Sequence, residues 1–296
     1  MTPRQQRVRP VRVVQYTILA VALVAALGPT VWAVTTSFRP TRDIVDRIVG
    51  LPIPPTLAGY RDAFATIDLG LHLLNQFSYA FCTATLVTVV ALLLAYPCAR
   101  MTFPFRRTLT VAITSALAVP VVSLVTPEFY IMFRLGLYDT RHGLVIFYVA
   151  TYIPLTFLLL RAYLTSVPRE IEEAAAIDGA SYWRTLFSVV VPVVAPVLVT
   201  VYILAFVFTW NDFLWNLLFA PSREYRNAQV ALSEFQGEWD VNISGLLAAA
   251  TIIALVPVTI FLLTQRYALA GLTGSTAGRT GRRRQPAPGP GDKEAT

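Results

Sequence analysis

The sequence predicts an all-α membrane protein of six transmembrane helices, with a polar cytoplasmic loop between spans 4 and 5. Three observations predict it. The 296 residues are 55% hydrophobic and only 14% charged, a charge content rare in soluble domains. Six apolar runs are each long enough to cross about 30 Å of hydrocarbon: 13–36, 77–99, 109–126, 143–160, 186–210 and 243–265. None of the six contains Asp, Glu, Lys or Arg. The runs hold nearly all the apolar content, so one transmembrane domain over 13–272 is expected and no separate soluble core.

The first run follows a basic cytoplasmic tail, residues 1–12, that carries Arg4, Arg7, Arg9 and Arg12. Its apolar part is about twice a signal-peptide core of about 7–15 residues, so an uncleaved span is expected. Next comes an outward loop, Phe38–Gln76, in which four Arg are balanced by Asp43, Asp46, Asp62 and Asp68. The second run carries the two cysteines, Cys82 and Cys98. On one helix they stand ~24 Å apart, too far to pair, and both read as small core residues. His72 and His142 fall near outer loops and read as polar surface residues. Pro29, Pro97, Pro120, Pro154, Pro192, Pro196 and Pro257 lie inside the runs. Each removes one helical hydrogen bond and invites a kink. After the sixth run, 273–296 is rich in Gly, Pro and Arg and is expected to be a disordered cytoplasmic tail. Its Arg282–Arg284 read as solvated, with contact to anionic lipid headgroups as the alternative.

Basic residues set the orientation. With both termini inside, 16 of the 24 Lys and Arg fall on inner segments. The positive-inside rule then puts both termini, and the loop after span 4, in the cytoplasm. The net charge of +7 follows from topology and calls for no nucleic-acid partner.

That loop reads EIEEAAAIDGASYWRTLFSVVVP over 170–192. Pro168 suits a first helical turn, Ser166 is available as a cap, and Glu170, Glu172 and Glu173 favour the positive end of a helix dipole. Ile171, Ala174, Ala175 and Asp178 share one helical face. The two alanines make it flat enough for another protein to approach closely. Gly179 can take the left-handed conformation that ends a helix. Ser181 can then cap a second short helix carrying Tyr182, Trp183, Leu186 and Phe187.

Several functions are disfavoured by what is missing. A P-loop needs a lysine after its glycines, and the only lysine is Lys293 in the tail. Ion-coupled carriers usually need buried charges, and an intramembrane enzyme needs His, Asp or Ser converging at depth. The spans carry no charge and no His, and no internal repeat stands out. No catalytic residue and no metal ligand is expected; the chain reads as a non-enzyme.

The spacing of Glu173-Ala174-Ala175, Gly179 and Pro192 resembles the cytoplasmic EAA loop of the membrane subunits of bacterial ABC importers. Four further segments resemble the sugar-importing, maltose-permease-like branch. They are Arg134–Gly143, Thr209–Trp215, Leu232–Gly237, and Gln265–Tyr267 with Gly271–Thr273. The resemblance covers about Leu71 to Thr273. It departs mildly where Val189 and Val191 stand for an aliphatic pair, and the Pro-rich ending has no counterpart. The resemblance implies a plasma-membrane permease subunit of a binding-protein-dependent sugar or oligosaccharide importer. Its partners would be a second homologous permease, two ATP-binding subunits that hold ATP and Mg, and an extracytoplasmic sugar-binding protein. Glu170, Glu173, Ala174, Ala175, Asp178, Gly179 and Pro192 would couple to the ATPase. An importer for a phosphorylated polyol, polyamine or peptide is the alternative.

Trp210, Asn211 and Asp212 close the fifth run at the outer face. An aromatic ring with an amide and a carboxylate suits stacking on and bonding to a sugar. An aromatic belt with a structural or gating helix end is the other reading. The outer loop Asn211–Asn242, with Glu224, Glu234, Glu238 and Asp240, is expected to face the binding protein.

Overall fold

The computed structural model describes residues 8–235 and 241–280. Helices α1 (Val8–Thr36), α2 (Thr41–Asp46), α3 (Ala58–Thr66) and α4 (Leu69–Arg100) come first. They are followed by α5 (Arg106–Ser115), α6 (Val125–Arg134), α7 (Arg141–Ser166), α8 (Glu170–Ile177) and α9 (Tyr182–Arg184). The series closes with α10 (Val191–Trp210), α11 (Leu214–Phe219), α12 (Ala228–Ala231) and α13 (Ile243–Thr280).

Five stretches of helix are long and apolar enough to cross a membrane among the described residues: Arg12–Thr36, Leu69–Arg100, Arg141–Ser166, Tyr182–Trp210 and Ile243–Leu263. The third expected run is different. It is not one rod over 109–126 but two helical pieces, Arg106–Ala118 and Val121–Arg134, bent by 94° at their break. Pro120 sits at the break, where its missing N–H and the constraint on the residue before it end a helix. The other prolines expected to kink spans, Pro29, Pro97, Pro154, Pro196 and Pro257, stay inside continuous helices. The tails also differ from expectation. Residues 8–12 already belong to α1, and α13 continues to Thr280. Residues 1–7 and 281–296, including Arg282–Arg284 and Lys293, lie outside the described residues, as do Gly237, Glu238 and Asp240 of the outer loop.

Large apolar side chains are exposed along these helices: Tyr16, Leu19 and Val24 of α1 and Phe77, Phe81 and Val89 of α4 are examples. Water would oppose such a surface, whereas hydrocarbon covers it at no cost.

Two compact units make up the chain. The first comprises Met1–Thr83, Val122–Tyr148 and Val207–Thr259. In it the polar side chains organise loops. Arg39, 3% exposed, donates to the carbonyls of Asp43 and Arg47 at 2.7 Å, holding α2 in place. Asn242 accepts from Thr41 and donates to Asp62. Gly59 lies so close to Ser244 that a Cβ would meet its Oγ at 2.4 Å, so only glycine fits there.

The second unit comprises Ala84–Val121, Val149–Phe206 and Ile260–Thr296. Its core joins α4, α7 and the fifth span through Ala91, Ala95, Phe157, Leu160, Leu186 and Val194. Small residues on α4 let the neighbouring helices approach closely, the usual packing device inside a bilayer.

The second short helix expected after Gly179 is not separate. Tyr182–Arg184 runs directly into the fifth span through a π-helical stretch, Thr185–Val190, where Val191 N–H bonds the Leu186 carbonyl five residues back. Pro192 therefore opens the main body of that span, exposed on the first turn of α10, and is not part of α8.

Candidate functional site

Helix α8 is short, and no side chain caps its start. Pro168 precedes it and Arg169 is the N-cap residue. Ser166, expected as a cap, bonds the Tyr163 carbonyl at the end of α7 instead. The N–H groups of Glu172 and Glu173 find the Arg169 carbonyl. The helix ends as expected at Gly179, whose φ is +77°. Gly179 N–H bonds the Ala176 carbonyl and Ala180 N–H bonds the Ala175 carbonyl, the paired bonds of a Schellman turn.

The expected flat face is split in two. Ile171, Ala174, Ile177 and Asp178 are exposed, Ile177 at 87%. Glu170 and Glu173 are also exposed, while Ala175 is half-buried beside Glu172. Trp183 and Phe187 extend the exposed apolar surface past the turn and stack on each other, ring centroids 6.0 Å apart. Helix α8 is thus a short helix with an uncovered apolar face.

Helix α8 is held by an ion pair and a hydrogen bond to α4 that its sequence does not announce. Glu172 pairs with Arg100 at the end of α4, Nε to Oε1 being 2.7 Å, and both side chains are largely buried. Tyr96 Oη donates to Glu172 Oε2 at 3.0 Å, and Arg100 also donates to the Val167 carbonyl. Tyr182 packs its ring on Tyr96, centroids 5.3 Å apart. Helix α8 is thereby tied to α4 and to the foot of the fifth span within one unit. Glu172 could not be told from Glu170 and Glu173 by composition; its i+3 relation to the half-buried Ala175 is the only trace.

The second group of interest lies in the first unit. Trp210 is 1% exposed and Asp212 is buried. Asp212 accepts from Tyr148 at 2.5 Å and from the backbone N–H of Asn216 at 3.0 Å, so its carboxylate caps α11. Asn227 donates to the Asp212 carbonyl and caps α12 through its own Oδ1. Asn211 is exposed, its side chain turned back to the Val207 carbonyl. Trp215 packs on Phe147, centroids 4.9 Å apart, which leaves Phe213 as the exposed ring. The geometry thus places Trp210 and Asp212 in the interior of the cluster and Asn211 at its surface.

One stripe of α4 supports this cluster: His72, Asn75, Gln76 and Tyr79, at i, i+3, i+4 and i+7. His72 and Asn75 contact the Arg226 carbonyl at 3.0 Å, and Tyr79 donates to the Tyr225 carbonyl. Gln76 donates to the Trp210 carbonyl and accepts from Ala228 N–H. His72 is therefore fully buried, correcting the surface role expected of it, while His142 is exposed. Cys98 is buried as expected, but Cys82 is exposed. In the loop over 211–242, Glu234 pairs with Arg226 at 3.1 Å. No group of three His, Cys, Asp or Glu is placed to hold a metal ion among the described residues.

Burial raises the Asp212 carboxyl above its ordinary value of 3.8, while the bonds from Tyr148, Asn216 and Trp215 pull it back. A raised value means that the folded chain keeps a proton the unfolded chain has already lost. The contribution to stability is therefore full below 3.8 and is lost as pH rises through the folded value. Thermal unfolding of the detergent-solubilised chain should show this loss, and Asp212→Asn should remove that part of the pH slope. An unchanged slope in the variant would assign it to another group.

The family described as binding-protein-dependent transport system inner membrane component matches residues 87–272. The sulfoquinovosyl glycerol transport system permease protein SmoH of Agrobacterium fabrum is 35% identical, over 90% of this chain and 92% of that protein. The trehalose transport system permease protein SugB of Mycobacterium tuberculosis is also 35% identical, over 84% of this chain and 91% of that protein. The fold matches the crystal structure of a bacterial ABC transporter involved in the import of the acidic polysaccharide alginate. The TM-score is 0.78 at 20% identity, over 90% of this chain and 99% of the matched one. Family match, relatives and fold agree with the multi-pass helical architecture, and together they lead to one conclusion: the chain belongs to the family of binding-protein-dependent transport system inner membrane components.

Proposed function

We propose that this chain is one permease subunit of an ATP-driven importer for a sugar or oligosaccharide, and that it forms half of the translocation path. The observation that carries the reading is α8: an exposed, Ala-rich helix fixed to the transmembrane bundle by the Arg100–Glu172 pair and stopped at Gly179. Such a lever suits the docking of a separate ATPase. The names of relatives favour a sugar: trehalose for SugB, and melibiose, raffinose and stachyose for MelC of Bacillus subtilis, 30% identical to this chain.

In this reading a second, homologous permease completes the path, and two ATP-binding subunits bind ATP and Mg and dock on α8. An extracytoplasmic binding protein delivers the sugar to the outer side. The pair of permeases alternates between two states biased by nucleotide and by the loaded binding protein. The cluster of Trp210, Asn211 and Asp212 acts as a braced outer gate, in which Asn211 is the exposed side chain that meets solute. Removing the chain from its host should abolish binding-protein-dependent uptake of a labelled disaccharide, and a plasmid copy should restore it. Unimpaired uptake of sugars alongside lost uptake of a polyamine or peptide would move the substrate class.

Both termini lie in the cytoplasm in this reading. In a background with Cys82 and Cys98 replaced by serine, a membrane-impermeant thiol reagent should label Glu224→Cys in intact cells. It should label Ser181→Cys only after the membrane is opened. Both positions are exposed, whereas Asn227 is buried and would be a poor reporter. The opposite labelling pattern would reverse the orientation.

A further inference from the structure

The second unit holds a cavity of about 600 Å³ at the start of α5. Arg106, Arg107 and Arg161 line it, with Thr102, Thr108 and Phe105, and no Asp or Glu lies in its wall. None of the three arginines forms an ion pair among the described residues. Arg106 gives one N–H to the Met101 carbonyl at 3.0 Å. Arg161 comes from α7, and its Nε is shut off from solvent with no hydrogen-bond partner. A guanidinium N–H in that position lacks an acceptor it strongly favours. Three positive charges converge on one hollow with nothing of opposite sign among the described residues to meet them.

The surroundings say where the missing anion comes from. The hollow lies between the end of α4 at Arg100 and the first turns of α5, and Arg161 is five residues from the end of α7. That is the depth at which spanning helices leave the hydrocarbon. Beside it Phe105 is 81% exposed and Val111 is 56% exposed. An apolar rim next to a cationic hollow fits a molecule that is part acyl chain and part anion.

We propose that this cavity binds the phosphate of an anionic phospholipid headgroup. Arg106, Arg107 and Arg161 hold the phosphate oxygens through charge-assisted bonds, the Thr102 and Thr108 hydroxyls add donors, and Phe105 lies along the acyl chains. The site needs only the membrane-spanning fold, so it stands or falls independently of the transport reading.

Native mass spectrometry of the full chain, released from detergent after titration with lipid, tests it. Phosphatidylglycerol should be retained about tenfold more than phosphatidylcholine, and Arg161→Gln or Arg107→Gln should each cut that retention about tenfold. Arg61→Gln, an exposed arginine of the first unit, should leave it unchanged. Arg107 is exposed, so its replacement keeps the test valid if Arg161→Gln does not fold. Displacement of phosphatidylglycerol by an equal concentration of inorganic phosphate would assign the site to free phosphate and overturn the lipid. Equal retention of the two lipids, or cavity variants that behave like Arg61→Gln, would overturn the site itself.

Discussion

Ala174→Trp and Gly179→Val should each abolish solute uptake while the chain still reaches the membrane at normal levels. Ala174 stands on the exposed face of α8, where an indole would hold any docking surface several ångströms away. Gly179 acts through the backbone. At φ +77° it has open space around it, with nothing within 4 Å of an added Cβ, so the obstacle is the left-handed conformation and not crowding. A β-branched residue there costs about 1–2 kcal/mol and favours unwinding the turn. Co-purification of the ATP-binding subunits should fall with both variants, and the binding protein should hold its solute normally. A helix that is merely solvated would tolerate Ala174→Trp at a cost below ~0.5 kcal/mol. Normal uptake by both variants would show that α8 does not transmit the motion.

Arg100→Leu should produce the opposite split: docking kept, transport lost. The substitution strands the Glu172 carboxylate, 15% exposed, against α4 with only Tyr96 to bond it. Removing one partner of a largely buried pair costs about 3–5 kcal/mol, because the remaining charge is left without compensation. The exposed face of α8 is untouched, so the ATPases should still co-purify. Their ATP hydrolysis should continue without uptake, since α8 is no longer braced against the bundle. Glu172→Gln should be milder, because an amide oxygen can still accept from Tyr96 and Arg100. The double variant Arg100→Leu/Glu172→Leu should recover part of the lost stability, and a strictly additive loss would mean that the two residues do not act as a pair.

Gly179 and Glu172 show where sequence reading succeeds and where it stops. Gly179 was legible because only glycine takes the left-handed position easily, so its place after an Ala-rich run states its role. Glu172 was not, because three glutamates in four positions look alike until a partner from α4 selects one. Five apolar runs are continuous helices, the form that satisfies every backbone N–H and C=O without water in a bilayer. The run over 109–126 has the same hydropathy, yet the chain turns at Pro120; a proline inside an apolar run gives no sign of whether it bends a helix or ends it. Five other prolines of this chain leave their helices continuous. His72, Asn75 and Gln76 of the polar stripe precede Phe77, where the apolar run begins, so hydropathy gives no sign of them. Helix α4 begins at Leu69, and its first turns serve the loop over 224–228, some 150 residues away in sequence.

The π-helical stretch at Thr185–Val190 sets the phase between the loop and the fifth span. Such a turn holds one residue more than an α-turn, so the residues on its two sides are offset by about 100° from a continuous α-helix. Pro192 follows directly and has no N–H, so the bond that Val191 makes to Leu186 is the last backbone donation before a gap in the ladder. The ring-bearing turn of Tyr182 and Trp183 is therefore rotated by that angle from where an unbroken α-helix in the register of α10 would carry it.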